Sequence, residues 1–370
     1  QKTAYEIPKR DWSSDVCSSD LSVVTRKTCE MKRFMNYHMK MTPEQGTPGI
    51  VPVSAGTSKS LLPRVRGQIL HAAAERIFLN HTWEAITQFI NDECQVLDES
   101  MRAEQAVLIR RALLGWINQR LEFINDFVTV SSEAEWQWDM DHGINLSLRL
   151  DRILRRKSDQ ALAILDFKTM RAPDKNWIER MQNSEQTHLY IQALRERSNE
   201  WVLGMVYEGI IIGSLDDDNK QKSPFVRAYA KRNGEYSPKY ISGAPVVSTL
   251  DWSDDQWLDW AIRTNILQEL YCTTGPLLPP FNQLVGTRNS TVFAELRWYG
   301  KLEQLDSIEA KYGVDSEDYH VAMERLIEKN PDACLKYGWE YACPYHSVCW
   351  NGAIPDAETF EPREDHHVTK

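Results

Sequence analysis

The chain has 370 residues, 42% of them hydrophobic and 26% charged, with a net charge of −10. That balance excludes a disordered or fibrous chain and predicts a packed globular core. No apolar run is long enough to span a bilayer, and no basic start leads into an apolar stretch. The expected setting is therefore cytoplasmic, without membrane association.

The segment Arg10–Leu21 reads RDWSSDVCSSDL. It is polar and self-repeating, with neither helical nor strand period, and resembles a translated sequencing adapter. Residues 1–21, with Cys17, are set aside as an artefactual or disordered leader. Residues 22–40 predict a short basic helix with Ser22 or Thr25 as caps. Residues 42–60, rich in Pro, Gly, Ser and Thr, predict a loop. Residues 64–79 carry apolar positions at helical period, and a further helix is expected over 100–126.

The period then changes. Leu146, Leu148 and Leu150 alternate with Ser147, Arg149 and Asp151, so strands are predicted over 133–140 and 145–153. Residues 161–167 (ALAILDF) are almost wholly apolar, the pattern of a central buried strand, and Arg155–Gln160 forms the turn between them. A helix at 175–198 and a strand at 201–213 complete a mixed sheet with helices packed on it. Residues 214–245 predict an insertion or long hairpin carrying several basic residues. Helices are expected over 254–271 and 302–329, and the chain from Phe360 is expected to fray. The boundaries are a single domain over 22–350, with its helical part at 64–126 and core at 133–213, and a flexible tail at 351–370.

The acidic net charge excludes a protein that coats DNA, yet the average hides local structure. Residues 145–180 hold nine Lys/Arg against five Asp/Glu, and residues 22–40 hold five against one. Such clustering suits an enzyme with a basic groove. The basic stretches near 22–40, 149–157 and 220–239 are expected to grip phosphates. The tract Trp252–Trp260 either stacks bases or packs a core.

Chemistry concentrates at Asp151, Asp166 and Lys168. Asp166 and Lys168 stand two apart on one strand, hence on one face, and an in-register hairpin brings Asp151 alongside. Two close carboxylates call for a cation between them, and oxygen ligands favour Mg²⁺ or Mn²⁺. A neighbouring lysine can steady a water or phosphate oxygens. The bland alternative is a surface ion pair, which contributes little. Against it stands the apolar strand that leads into the triplet.

LRLDRI (Leu148–Ile153) followed by ILDFKT (Ile164–Thr169) resembles the PD-(D/E)XK nuclease signature in its RecB-like form. The resemblance implies a restriction-endonuclease-like α/β fold, a mixed central sheet flanked by helices. It implies Asp151, Asp166 and the main-chain carbonyl of Phe167 as metal ligands, with Lys168 as catalytic lysine. Gly67 and His71 are similar to the family's G-x-x-x-H helix, whose histidine joins the metal; Glu75 follows one turn on. Gln186 and Tyr190 are similar to its Q-x-x-x-Y pair, which supports the site or contacts DNA. Glu133 or Glu135 matches an acidic position upstream.

Cys334, Cys343 and Cys349 fall in one short stretch, a spacing that suits a soft metal. With Cys29 they resemble the four cysteines of AddB-type nucleases, which implies a 4Fe–4S clasp. Cys₄ zinc is the chemical alternative. One departure stands out: the family places its second cysteine three residues before the third, where this chain has Glu340.

The expected protein is a Mg²⁺- or Mn²⁺-dependent deoxyribonuclease, exonuclease-like, in phage DNA processing, recombination or repair. No Walker A sequence is present, so a helicase or recombination partner would supply any motor. The alternative is a non-catalytic DNA-binding or scaffold protein that keeps the fold and cluster.

Overall fold

In the computed structural model the described residues are 18–19, 29–37, 50–52, 58–140, 142–170, 176–215, 221–313, 316–330, 345, 349 and 360–362. In chain order they form β1 (Ser18–Ser19), α1 (Glu30–Tyr37), β2 (Ile50–Pro52), α2 (Ser58–Phe78), α3 (Trp83–Glu93), α4 (Glu99–Asp126) and β3 (Phe127–Asp139). There follow β4 (Asn145–Arg156), β5 (Leu162–Met170), α5 (Trp177–Gln182), α6 (Glu185–Ser198), β6 (Val202–Ile211), β7 (Ser214–Leu215) and β8 (Gln221–Lys222). The remainder are β9 (Arg227–Ala230), β10 (Tyr236–Ser237), β11 (Val246–Ser248), α7 (Asp254–Arg263), α8 (Leu267–Leu270), β12 (Tyr271–Leu277), α9 (Phe281–Tyr312), α10 (Glu317–Leu326) and β13 (Phe360–Pro362). Among the described residues no helix is long and apolar enough to cross a membrane. The chain divides into two compact units, one of residues 1–55, 135–149 and 285–370, the other of 56–134 and 150–284.

The second unit is a mixed sheet with helices packed on it, the expected class. β4 runs antiparallel to β5 with Arg152 opposite Leu165, and β5 runs parallel to β6 with Asp166 beside Tyr207. The apolar run Ala161–Leu165 is fully buried, which is why it takes the central position. Its hairpin closes where Arg156 N–H donates to Ala161 O at 2.9 Å, with Gln160 at φ 64°.

Beyond β6 lies a strand that was not anticipated, following directly on the expected helix at 254–271. Residues 254–271 split into α7 and α8, and the chain then straightens into β12, antiparallel to β6 with Tyr271 opposite Ile210. Gly204 makes this pairing possible. It sits at φ +130°, and a Cβ there would lie 2.2 Å from Leu277 O. Helices α2, α3 and α4 cover the sheet through one core that includes Leu70, Ile90, Leu113, Trp116 and Phe167.

Other boundaries moved for local reasons. α3 was not anticipated, although Thr82 caps it and Ile86 and Ile90 bury its inner face. The expected helix at 175–198 is two, because Ser184 caps the second by accepting from Thr187 N–H at 3.1 Å. Residues 214–245, with the neighbouring residues to 248, contribute a small three-stranded sheet in the order β10–β9–β11. The tryptophans of 252–260 are core: Trp257 and Trp260 are buried, and their indole N–H groups donate to Pro224 O and Tyr236 O.

In the first unit, α1 packs on α9 and α10 around Trp298, and Arg33 makes a buried two-pronged ion pair with Glu295 at 2.8 and 3.1 Å. The expected helix over 302–329 is instead α9, which begins at Phe281, and α10, separated at Gly313 with φ +85°. Two expected loops carry strands. Phe360–Pro362, expected to fray, pairs antiparallel with Ile50–Pro52. Ser18–Ser19, set aside as leader, pairs in parallel with Leu146–Ser147.

Candidate active site

The second unit gathers four of the expected residues at one place. Asp151 leaves β4 one position beyond the Arg152–Leu165 pair, and is therefore abreast of Asp166 on β5. His71, on α2, reaches both neighbouring strands: its Nδ1 lies 2.8 Å from Asp151 Oδ2, and its Nε2 lies 2.9 Å from the Phe167 carbonyl. Lys168 Nζ donates to Asp166 Oδ1 at 2.9 Å and forms an ion pair with Oδ2 at 2.8 Å. Asp166 is only 3% exposed, while His71, Asp151 and Lys168 are half-buried and open on one side. Around Gly67, one turn before His71, a Cβ would meet only open space.

The electrostatics follow from crowding two acids at a buried edge. Burial pushes the Asp166 carboxyl up to about 6, with the Lys168 ammonium opposing and Asp151 adding to the rise. Asp151 goes the other way: burial would raise it, but its hydrogen bond and ion pair with His71 outweigh that. His71 is raised in turn by Asp151, against its burial. Lys168 is raised by Asp166, also against burial. The pair thus separates into one carboxylate held ionised and one that takes a proton as pH falls through about 6.

Two oxygens of carboxylates, one peptide carbonyl and one imidazole form a donor set of the kind that suits a hard divalent cation. The donors are currently spent on one another. Both imidazole nitrogens are engaged and Lys168 bridges Asp166. Accordingly, no group of three His, Cys, Asp or Glu side chains among the described residues stands as a finished metal cage. To hold a cation, Asp166 would have to release the Lys168 ammonium, and His71 Nε2 would have to give up the proton it shares with the Phe167 carbonyl.

Tyr207 was missed. It stands beside Asp166 in the parallel register, and Lys168 Nζ lies 5.6 Å from its ring centroid. Its hydroxyl lies 2.8 Å from Thr187 Oγ1, which ties β6 to the start of α6. A tyrosine inside an apolar strand carries no local mark of this; only the register of β5 on β6 reveals it. Below the site, Trp116 packs edge-on against Phe167 at 4.9 Å and donates to the buried Glu208 at 3.1 Å. That contact fixes the residue whose carbonyl faces His71.

The other expected residues lie as follows. Gln186 Nε2 donates to the hydroxyl of the buried Tyr190 at 3.2 Å, one turn apart on α6. Glu75 is half-buried one turn beyond His71. Glu135 is an exposed residue of the first unit, and the side chain of Glu133 lies outside those described. Cys334 and Cys343 also lie outside the described residues. Cys29 and Cys349 are buried in one cluster of the first unit with Phe34, Trp298 and Tyr345. Met31 N–H donates to Glu328 O at 3.0 Å, and Lys329 Nζ donates to Cys349 O at 2.5 Å, so both cysteines flank the same stretch of chain.

No curated relative matches the chain. Residues 21–349 match the family model of the PD-(D/E)XK nuclease superfamily.

Proposed function

This chain belongs to the PD-(D/E)XK nuclease superfamily, and from that premise we propose that it is a Mg²⁺- or Mn²⁺-dependent deoxyribonuclease whose centre is His71, Asp151, Asp166 and Lys168. The observation that carries the reading is the convergence of those four side chains and the Phe167 carbonyl within hydrogen-bond reach. Asp151, Asp166, His71 and the Phe167 carbonyl would hold the cation. When bound, it supplies an activated water and neutralises charge on the phosphate. Lys168, released from Asp166, presents its ammonium to the scissile phosphate or the attacking water. Tyr207 keeps that ammonium near the edge of β5. Gln186 and Tyr190 contact DNA or support the site, and Glu135 has one of the same two roles.

The test is cleavage of single-stranded DNA, duplex DNA and RNA by the unmodified protein with Mn²⁺. Metal-dependent scission of DNA that EDTA stops is expected. No scission of any form leaves the non-catalytic DNA-binding alternative.

A second expectation concerns pH. With Asp166 raised to about 6, the folded chain keeps a proton that the unfolded chain loses near pH 4. Stability from that proton is complete below pH 4 and is lost as pH rises through 6. A divalent cation meets the ionised form that results. The rise in Tm caused by Mn²⁺ is therefore expected to be full at pH 8 and to fade below pH 6, as the apparent affinity drops about tenfold per pH unit. Equal rises at pH 5 and pH 8 in scanning fluorimetry would remove Asp166 from the ligand set.

The finer reading is a RecB-like, exonuclease-like enzyme of phage DNA processing, recombination or repair. It acts in the cytoplasm, with a helicase or recombination partner. Its ends are clasped by Cys29, Cys334, Cys343 and Cys349 around a 4Fe–4S cluster. Cys29 and Cys349 sharing one cluster supports the clasp. Anaerobically purified protein is expected to be brown and to contain iron and acid-labile sulfide, and Cys29→Ser to lose both with a lower Tm. A colourless protein carrying zinc would assign the clasp to Zn²⁺.

A further inference from the structure

The small sheet β10–β9–β11 belongs to no part of the site described above, yet it is the most unusual surface of the second unit. Residues 227–248 carry Arg227, Lys231, Arg232 and Lys239 against Glu235 alone, a local net charge of +3 in a chain of −10. The acids that pair there are exposed: Glu235 meets Lys231 at 3.2 Å, and Glu269 meets Lys239 at 2.6 Å. Such exposed pairs hold their partners weakly, and with Glu269 as well as Glu235 counted against the four cations the patch keeps a net charge of +2. Among these charges the sheet shows aromatic and apolar groups to solvent. Tyr240 is 72% exposed, Val246 56% and Tyr236 38%. The Tyr240 ring stands edge-on to Tyr229 at 5.6 Å, so one ring braces the other with a face left open.

The surface is also held rigidly at its base. Arg111 of α4 donates to Phe225 O and to Thr249 O, one at each end of the segment. Trp252 packs between Tyr236 and Trp260, with centroids 5.3 and 5.4 Å away. An exposed aromatic on an anchored sheet, ringed by cations, matches the requirements of an unpaired nucleic-acid strand. Bases offer π-faces to stack, and phosphates release counterions to Lys and Arg. A duplex hides its base faces, and an apolar protein partner would meet exposed lysine and arginine side chains.

We propose that the β9–β11 sheet is a binding surface for single-stranded DNA, with Tyr240 as its stacking platform and Lys231 and Arg232 as phosphate contacts. This deepens the nuclease reading and rests on it for the identity of the ligand.

The test is the affinity of a fluorescent oligo-dT, read by anisotropy in Ca²⁺ without Mg²⁺ or Mn²⁺, at several salt concentrations. Tyr240→Ala is expected to weaken binding about tenfold and Tyr240→Phe to stay within about twofold, because stacking needs the ring and not the hydroxyl. The double change Lys231→Ala with Arg232→Ala is expected to lower the slope of log affinity against log salt by about 1.4. These side chains are exposed, so unchanged circular dichroism and Tm are expected to accompany each loss. Oligonucleotide affinity equal to the parent's in Tyr240→Ala and in the double variant overturns the proposal, whatever protein the surface then proves to hold. Cutting by the unmodified protein is read separately. Tyr240-dependent binding without any cutting keeps this surface and removes the enzyme.

Discussion

Lys168→Ala is expected to slow Mn²⁺-dependent DNA scission by about a hundredfold to a thousandfold, while DNA binding in Ca²⁺ stays within a few fold of the parent. Removing one preorganised donor from a site of developing negative charge costs on the order of 3–4 kcal/mol of transition-state stabilisation. The fold should survive. Lys168 is half-buried and its partner Asp166 is already raised to about 6, so without the ammonium that carboxyl takes up a proton instead of standing as an unpaired buried charge. Binding survives because one ammonium is a small part of the phosphate contacts a nuclease makes. Lys168→Arg is expected not to rescue, since a planar guanidinium cannot occupy the point 2.8–2.9 Å from both Asp166 oxygens without rebuilding its approach. Single-turnover cleavage and anisotropy measure the two quantities. A variant that cuts within tenfold of the parent would remove Lys168 from the chemistry.

The parts of this site that could be read in the sequence are those whose spacing is itself the geometry. Asp166 and Lys168 share a face because strands have period two, and the apolar run before them fixed their strand as central. Asp151 followed from the turn at Arg155–Gln160, because hairpin register is local. His71 was legible only through the resemblance; nothing in its helix marks a residue that will span two strands. Tyr207 was illegible because its place depends on β5 lying parallel to β6, a non-local pairing. The same reason hid β12, which contains Gly275 and Pro276 and becomes a strand only against β6. It also hid the pairing of Phe360–Pro362 with Ile50–Pro52, whose partners stand at opposite ends of the chain. Helices α3 and α9 are different cases. The Thr82 cap and the Pro279–Pro280 pair before Phe281 were readable signals, and weighing them would have placed both starts.

Arg111→Leu is expected to cost about 3–5 kcal/mol of folding stability, and the reason lies in the acceptors it leaves behind. Arg111 is fully buried on α4. Its Nη1 donates to Phe225 O at 2.6 Å and Thr249 Oγ1 at 3.0 Å, and its Nη2 to Thr249 O at 2.9 Å and Trp252 O at 2.7 Å. Burial pulls its pKa down to about 10, opposed by Asp254, so the guanidinium still carries its charge at neutral pH. Leucine fills part of the volume but strands the Phe225 and Trp252 carbonyls, each at about 1–3 kcal/mol before any water enters, while Thr249 O keeps the Trp252 N–H at 3.0 Å. Arg111→Lys is expected to recover little, because one ammonium cannot reach acceptors arranged for a fork. Urea unfolding gives the stability directly, and a loss below 1 kcal/mol would mean that the acceptors find other donors. The consequence reaches function through the β9–β11 sheet. Both ends of its segment hang on this one side chain, so even at temperatures where Arg111→Lys stays folded, oligo-dT affinity is expected to fall with no change at Tyr240 itself. Rigid aromatic platforms bind because their ordering is complete before the ligand arrives, and a platform whose base has loosened must order itself at the moment of binding.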